Sequence, residues 1–217
     1  GKGRSTFLIF LAVAALLLIM PMMMKTTNDT SELTETLQRQ IGRAAVVIIR
    51  VKEDGQDDKY LVQLKSRDYP ITAFQEAVCL FGGNVKQDDA GPKQTLLREL
   101  SEELPESLVD AVIPSLQFIG TTMNSQTAEV VEKPEPYAFM CACYEATISS
   151  DEIPSKFKGS EGNYALLTKE QLVMDHTYAW GYDHVMSSYF GEPVKNMCEG
   201  VSVTKLSNER LKEWTSS

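Results

Sequence analysis

Apolar and polar positions divide the chain into one unbroken apolar run and a longer part patterned in short elements. Phe7 to Met24 (FLIFLAVAALLLIMPMMM) carries no charged residue and is apolar on every helical face. Further along, Ala44 to Val51 (AAVVIIRV) is short and β-branched, which predicts a strand. Asp54-Gly55-Gln56-Asp57-Asp58 predicts a turn, and Tyr60 to Lys65 (YLVQLK) alternates as the returning strand of a hairpin would. Phe74 to Phe81 is apolar enough for another strand, ending at Gly82-Gly83. A helix is predicted from Pro92 to about Leu104, because proline suits a first helical turn where its missing N–H costs nothing. Strands are predicted at Leu116–Thr122, Tyr137–Thr147 and Tyr164–Leu167. A helix is predicted to start at Thr168-Lys169-Glu170, and a last helical region lies around Tyr178–Phe190. Strands flanking one well-marked helix predict an α+β architecture, a mixed sheet with helices packed on it.

The apolar run changes the picture of the whole chain. As a helix, Phe7 to Met24 would be roughly 27 Å long, close to the ~30 Å hydrocarbon core of a bilayer. Lys2 and Arg4 precede it and Lys25 follows. Residues 1–25 therefore read as a signal peptide or an uncleaved signal anchor. The small residues Ala12, Ala14 and Ala15 sit mid-run rather than at its end, which favours the anchor. Basic residues at the front favour a cytoplasmic N-terminus and a folded part outside the cytosol, in the secretory pathway or tethered to a membrane. The sequon Asn28-Asp29-Thr30 agrees with that side. Residues 26–40 are polar and read as a stalk, leaving 41–217 as the folded domain.

Composition narrows the function classes. The chain has 217 residues, 43% hydrophobic and 24% charged, as in an ordinary globular protein with a sizeable core. A formal net charge of −9 argues against long-range attraction to nucleic acid. A small anionic substrate would need a metal ion or a few placed cations. Cys79, Cys141, Cys143 and Cys198 form no CxxC pair, and Cys141 and Cys143 would point to one face of a strand as packing residues. His176 and His184, the two histidines, are too few for a histidine-based metal site and read as structural.

The predicted helix at 92–104 carries the candidate chemistry. Residues turn by ~100° per position on a helix, so Glu99, Glu102 and Glu103 share a face at i, i+3 and i+4. Leu97, Leu100 and Leu104 would then pack on the sheet, with Arg98 between the two faces. Like charges at this spacing cost roughly 0.2–0.5 kcal/mol per pair, and the helix dipole disfavours anions near the C-terminal end. A solvated acidic face is the plain reading. The chemical reading is a divalent-cation site, with hard oxygen ligands on one rigid face suited to Mg²⁺ or Mn²⁺.

The surrounding stretch, LFGGNVKQDDAGPKQTLLRELSEELPE, resembles the signature of the Nudix hydrolase family, G-x5-E-x7-R-E-U-x-E-E-x-G-U with U aliphatic. Arg98-Glu99-Leu100-Ser101-Glu102-Glu103 matches R-E-U-x-E-E at every defined position, and Gly82-Gly83 follows an apolar strand. The resemblance covers residues 83–105. Three departures stand out. One extra residue lies between Gly83 and Arg98, so the family's first glutamate falls at Asp89 or Ala90 depending on the anchor. Pro105 replaces the late glycine. Phe81 stands where a proline often precedes the double glycine.

The resemblance implies an α/β/α sandwich and hydrolysis of a small-molecule nucleoside diphosphate derivative. It implies a metal ion on Glu99, Glu102, Glu103 and the Gly83 carbonyl, with Glu102 central to catalysis. Arg98 would orient a glutamate through a charge-assisted hydrogen bond. A further carboxylate from a loop outside the signature would act as base, with Glu161 in Gly159-Ser160-Glu161-Gly162-Asn163 the first candidate and Glu129, Glu132 and Glu135 its competitors. Tyr178, Trp180, Tyr182 and Tyr189 offer rings to stack on a base, although their spacing also suits core packing. The alternative is a Nudix-fold binding or scaffold subunit without turnover.

Overall fold

The computed structural model describes residues 42–133, 137–155, 162–174 and 176–195. The apolar segment 1–25, the polar stalk 26–40, Glu135, Glu161 and Cys198 lie outside the described residues. Among the described residues no helix is long and apolar enough to cross a membrane.

Strand β1 (Gly42–Lys52) is the spine of the fold. Along one edge it pairs in parallel with β6 (Tyr137–Ser149) over its whole length, Gly42 opposite Phe139 and Lys52 opposite Ser149. Two shorter strands share the other edge. β4 (Phe81–Asn84) runs antiparallel beside Ala44–Val47, and β2 (Lys59–Lys65) beside Ile49–Val51. β3 (Val78–Cys79) and β7 (Gly162–Thr168) both pair with β2, and β5 (Gln117–Gln126) closes the far edge against β6. The described strands form one seven-stranded mixed sheet.

Both faces of this sheet are covered, which explains why AAVVIIRV is continuously apolar rather than alternating. Ala45, Val47, Ile49 and Val51 face helix α1 (Pro92–Glu103) and helix α2 (Glu106–Val112). Ala44, Val46 and Ile48 face Phe74, Leu172 of α3 (Lys169–Val173), and Tyr182, Val185 and Met186 of α4 (Tyr182–Phe190). The cysteines follow the same alternation: Cys141 and Cys143 are buried free thiols on the second face, while Ala142 and Tyr144 lie on the first.

The structure differs from the sequence expectation in three places. The strand expected at Phe74–Phe81 is instead a 3₁₀ turn at Thr72–Phe74 followed by two short strands. Glu76 in the left-handed region, with φ 58°, breaks the run. The chain then changes partner between Cys79 on β2 and Phe81 on β1. Helix α2 has no counterpart in the expected elements. Strand β5 reaches Gln126 because the polar residues Asn124 and Gln126 point inward and are 0% and 2% exposed.

Candidate active site

Helix α1 presents its three glutamates at graded depth rather than on one solvent face. Leu96, Leu100 and Leu104 are buried against the sheet, whereas Leu97 is only half-buried. The packed face is thus centred near Leu96 and Leu100, which carries Glu103 into the interior. Glu103 is 7% exposed, the Glu99 side chain 15% and the Glu102 side chain 50%. The expectation that the glutamates lie opposite the leucines is corrected accordingly.

The double glycine meets the two deeper carboxylates. Gly82 donates its N–H to Glu103 Oε2 at 2.9 Å, and Gln63 Nε2 donates to Glu103 Oε1 at 3.2 Å. Gly82 has φ 131°, and a Cβ there would overlap the Ala45 carbonyl oxygen of the neighbouring strand. At Gly83 a Cβ would lie 2.6 Å from Cδ of Glu99. Gly82 is therefore required by backbone conformation and strand proximity, Gly83 by the seat of a carboxylate.

Arg98 ties the loop to the helix. Its Nη1 donates to Glu99 Oε1 at 2.6 Å and to Glu102 Oε1 at 3.3 Å, and its Nη2 donates to the Asn84 carbonyl at 3.0 Å. Asp89 takes the remaining fork, with Nε to Oδ1 at 3.2 Å and Nη2 to Oδ2 at 3.0 Å. The Lys86 N–H and the Thr95 hydroxyl each donate to Asp89 Oδ2 at 2.8 Å. These bonds, led by the one from Arg98, hold the Asp89 carboxyl far below the usual carboxylate range and raise the Arg98 guanidinium further. Arg98 and Lys86 also lower the exposed Glu102 carboxyl. The extra loop residue is thus accommodated with Asp89 as the acid facing Arg98.

Pro105 leaves this arrangement undisturbed. Leu104 is extended, as a residue before proline prefers, and Pro105 starts α2 by accepting the N–H groups of Leu108 and Val109 on its carbonyl.

Glu99 and Glu103 line a cavity of about 260 Å³ together with Gly82, Gly83, Lys65 and Lys86. Glu102 lies outside its lining, one turn along the Arg98 network. Among the described residues, no three His, Cys, Asp or Glu side chains converge as ready metal ligands. The donor set nonetheless fits a hard cation: two carboxylates on one wall, and a missing side chain at Gly83 that lets Glu99 lie against backbone.

No family model matches the sequence, and no curated protein matches it. Solved structures do. The Nudix domain of Shewanella oneidensis NrtR, complexed with ADP ribose, is 20% identical, covering 70% of this chain and 87% of that one at a TM-score of 0.48. The crystal structure of Shewanella oneidensis NrtR reaches a TM-score of 0.50 at 20% identity, over 67% of this chain and 60% of that one. The chain has the Nudix fold. An E. coli dihydroneopterin triphosphate pyrophosphohydrolase is also similar, 14% identical over 68% of this chain and 93% of that one, with a TM-score of 0.47.

Within this Nudix fold the remaining candidates separate. Glu129 and Glu132 are exposed and absent from the cavity lining, and Glu132 instead accepts the Thr72 N–H at 3.1 Å. Glu161 and Glu135 lie outside the described residues. Tyr178 is core, 1% exposed, and Tyr189 packs on Tyr60 and Phe190. Trp180 lines the cavity, as does the buried ring of Tyr182.

Sequence reasoning missed Lys65, Tyr69, Lys86 and Tyr137, all of which line the cavity. One signal was available for Lys65. Leu61, Gln63 and Lys65 alternate onto one face of a strand, and Gln63 and Lys65 are 1% and 5% exposed. Polar groups at core-facing strand positions mark a site.

Proposed function

We propose that this Nudix-fold chain hydrolyses a nucleoside diphosphate linked to another group, using Mg²⁺ or Mn²⁺. The observation that carries the reading is the pairing of Glu99 on Gly83 with Glu103 on Gly82, on the wall of a cavity that also holds Lys65 and Lys86. Glu99, Glu102, Glu103 and the Gly83 carbonyl would hold the ion. When bound, such an ion neutralises pyrophosphate oxygens and activates water. Lys65 on the cavity wall brings positive charge toward an anionic substrate in a chain of net charge −9, and Lys86, at the cavity's edge, is paired with Glu102. Arg98 positions Glu99 and Glu102. Glu161 is the proposed base. Residues 7–24 are proposed to tether the domain to a membrane, or to direct it into the secretory pathway.

A second reading, a Nudix-fold nucleotide-binding subunit without turnover, draws on one observation. Arg98 and Lys86 already neutralise Glu99 and Glu102. A panel of nucleoside diphosphate derivatives, assayed with Mg²⁺ or Mn²⁺ for the phosphate that an added phosphomonoesterase releases from cleaved products, separates the two. Metal-dependent release supports hydrolysis, and binding without release across the panel supports the subunit.

A further inference from the structure

Beside an aromatic wall with Tyr69, Tyr137 and Trp180, the cavity has an acidic one, where Glu99 and Glu103 meet Gly83 and Gly82. The two carboxylates are held by different means. Arg98 holds Glu99 through Oε1. The sheet holds Glu103 at both oxygens, with the Gln63 amide donating to Oε1 at 3.2 Å and the Gly82 N–H to Oε2 at 2.9 Å. The two donors sit on β2 and β4, and both strands pair with β1, which fixes the spacing between them.

Gln63 is an unusual residue for its position. It lies two residues after the core residue Leu61 on the α1 side of β2 and is 1% exposed, yet it does not line the cavity. Its Nε2 is engaged by Glu103, while its Oε1 is buried with no hydrogen-bond partner among the described residues. A buried carbonyl without a partner costs stability. An apolar side chain of the same length would fill the space without that cost. Turning the amide over would be worse, because Oε1 would then face the Glu103 carboxylate, acceptor against acceptor. The orphan oxygen is therefore the consequence of aiming the Nε2 donor at Glu103.

Pinning both oxygens has a chemical consequence. A carboxylate clasps a large cation with both oxygens only if it can turn to face it. Ca²⁺ accepts about six to eight oxygens in a flexible shell, with carboxylates bound through one oxygen or both, whereas Mg²⁺ demands near-ideal octahedral geometry. Rigidity of the ligands is one of the features that separates the two ions.

We propose that Gln63 is a positioning residue for the choice of ion. By pinning Glu103 together with Gly82, it tunes the site to a small octahedral cation such as Mg²⁺ and against Ca²⁺. This rests on reading Glu103 as a metal ligand of the hydrolytic site, and Gln63 acts through Glu103 without lining the cavity itself.

The experiment reads binding rather than turnover. Gln63→Met keeps the length of the side chain and removes both the donor and the orphan acceptor. Mn²⁺ binding to the full chain is followed by electron paramagnetic resonance, with Mg²⁺ and Ca²⁺ as competitors. The wild type should bind Mg²⁺ more tightly than Ca²⁺. In Gln63→Met the Mg²⁺ affinity should fall about tenfold, as on loss of an outer partner of a ligand. Ca²⁺ affinity should stay within about twofold, because a freed carboxylate suits its flexible shell. The melting temperature should move by only a few degrees, since the lost hydrogen bond and the removed orphan offset each other. Gln63→Leu removes the same amide with a different shape and should narrow the preference in the same way. An equal fall in both affinities would make Gln63 a plain support of the fold, and either that result or an unchanged ratio overturns the proposal. Ion preference that depends on Gln63 without cleavage of any nucleoside diphosphate derivative would remove the hydrolase reading alone. Mg²⁺-dependent cleavage by a Gln63→Met variant that keeps the wild-type ratio would remove this inference alone. A wild type that binds none of the three ions would overturn both.

Discussion

Asp89 closes on Arg98 with both carboxylate oxygens, 3.2 Å from Nε and 3.0 Å from Nη2. That fork leaves Nη1 to reach Glu99 and Glu102, so a loop residue governs where two helix carboxylates sit. Asp89→Asn removes the charge from a carboxylate that is 5% exposed. It should cost about 2 kcal/mol, the worth of charged hydrogen bonds. For a domain of this size that is roughly 4–8 °C in Tm by calorimetry. Metal affinity should fall with it, because Arg98 loses its anchor, and Asp89→Glu should restore part of both. An unchanged Tm in Asp89→Asn would show that the fork contributes nothing.

Acid should act through the same pair. The folded-state pKa of Asp89 lies below its unfolded value, so the folded state binds fewer protons and the stabilisation is fully present above the ordinary carboxylate range. It is lost as the pH falls below about 4 toward the depressed folded value. Thermal melts of the wild type and Asp89→Asn should therefore differ most at neutral pH and converge progressively in acid. A gap that widens on acidification contradicts the assignment.

The two glycines should respond differently to one added methyl group. Gly82→Ala places Cβ on the Ala45 carbonyl at a positive φ, so β4 must shift from β1. Roughly 2–4 kcal/mol of stability should be lost. Gly83→Ala meets the far end of the Glu99 side chain, which can swing away. Its Tm should stay within a few degrees while Mg²⁺ affinity drops about tenfold, in line with a displaced ligand. Denaturant melts and metal titrations of both variants check this, and equal destabilisation would contradict it.

Pro105 should be neutral for chemistry. Its φ of −63° requires no glycine, and it serves as the cap between α1 and α2. Pro105→Gly should lower stability by roughly 0.5–1 kcal/mol through the unfolded chain, with kcat/KM unchanged. A gain in turnover would identify the helix exit as an impairment.

The legibility of the sequence varied with how local each signal is. The helix from Pro92 and the strands at 44–51 and 60–65 were readable because proline position, β-branching and a turn are encoded within a few residues. The depth of the glutamates was not readable. A 100° wheel places Glu99, Glu102 and Glu103 together, but the packed face turns about Leu96 and Leu100, which only the sheet decides. The ambiguity between Asp89 and Ala90 was likewise tertiary, resolved by which side chain the loop delivers to Arg98. The aromatic wall draws Tyr69, Tyr137 and Trp180 from three distant segments, and no local pattern joins them.

The central claim, that these glutamates serve metal-dependent hydrolysis, rests on variants that keep the fold. Glu102 is exposed at the helix end, so Glu102→Gln should fold. In Glu103→Gln one amide group would face the Gln63 donor, but Gln63 Oε1 is buried without a hydrogen-bond partner. Rotating the Gln63 amide restores a bond, so this variant should fold as well. The decisive measurement is Mg²⁺-dependent cleavage of nucleoside diphosphate derivatives to two phosphomonoesters, read as the phosphate that an added phosphomonoesterase releases from them, for the wild type, Glu102→Gln and Glu103→Gln, alongside their melting curves. The account predicts release by the wild type and its loss in both variants at near-native Tm. Undiminished turnover in both variants would contradict it.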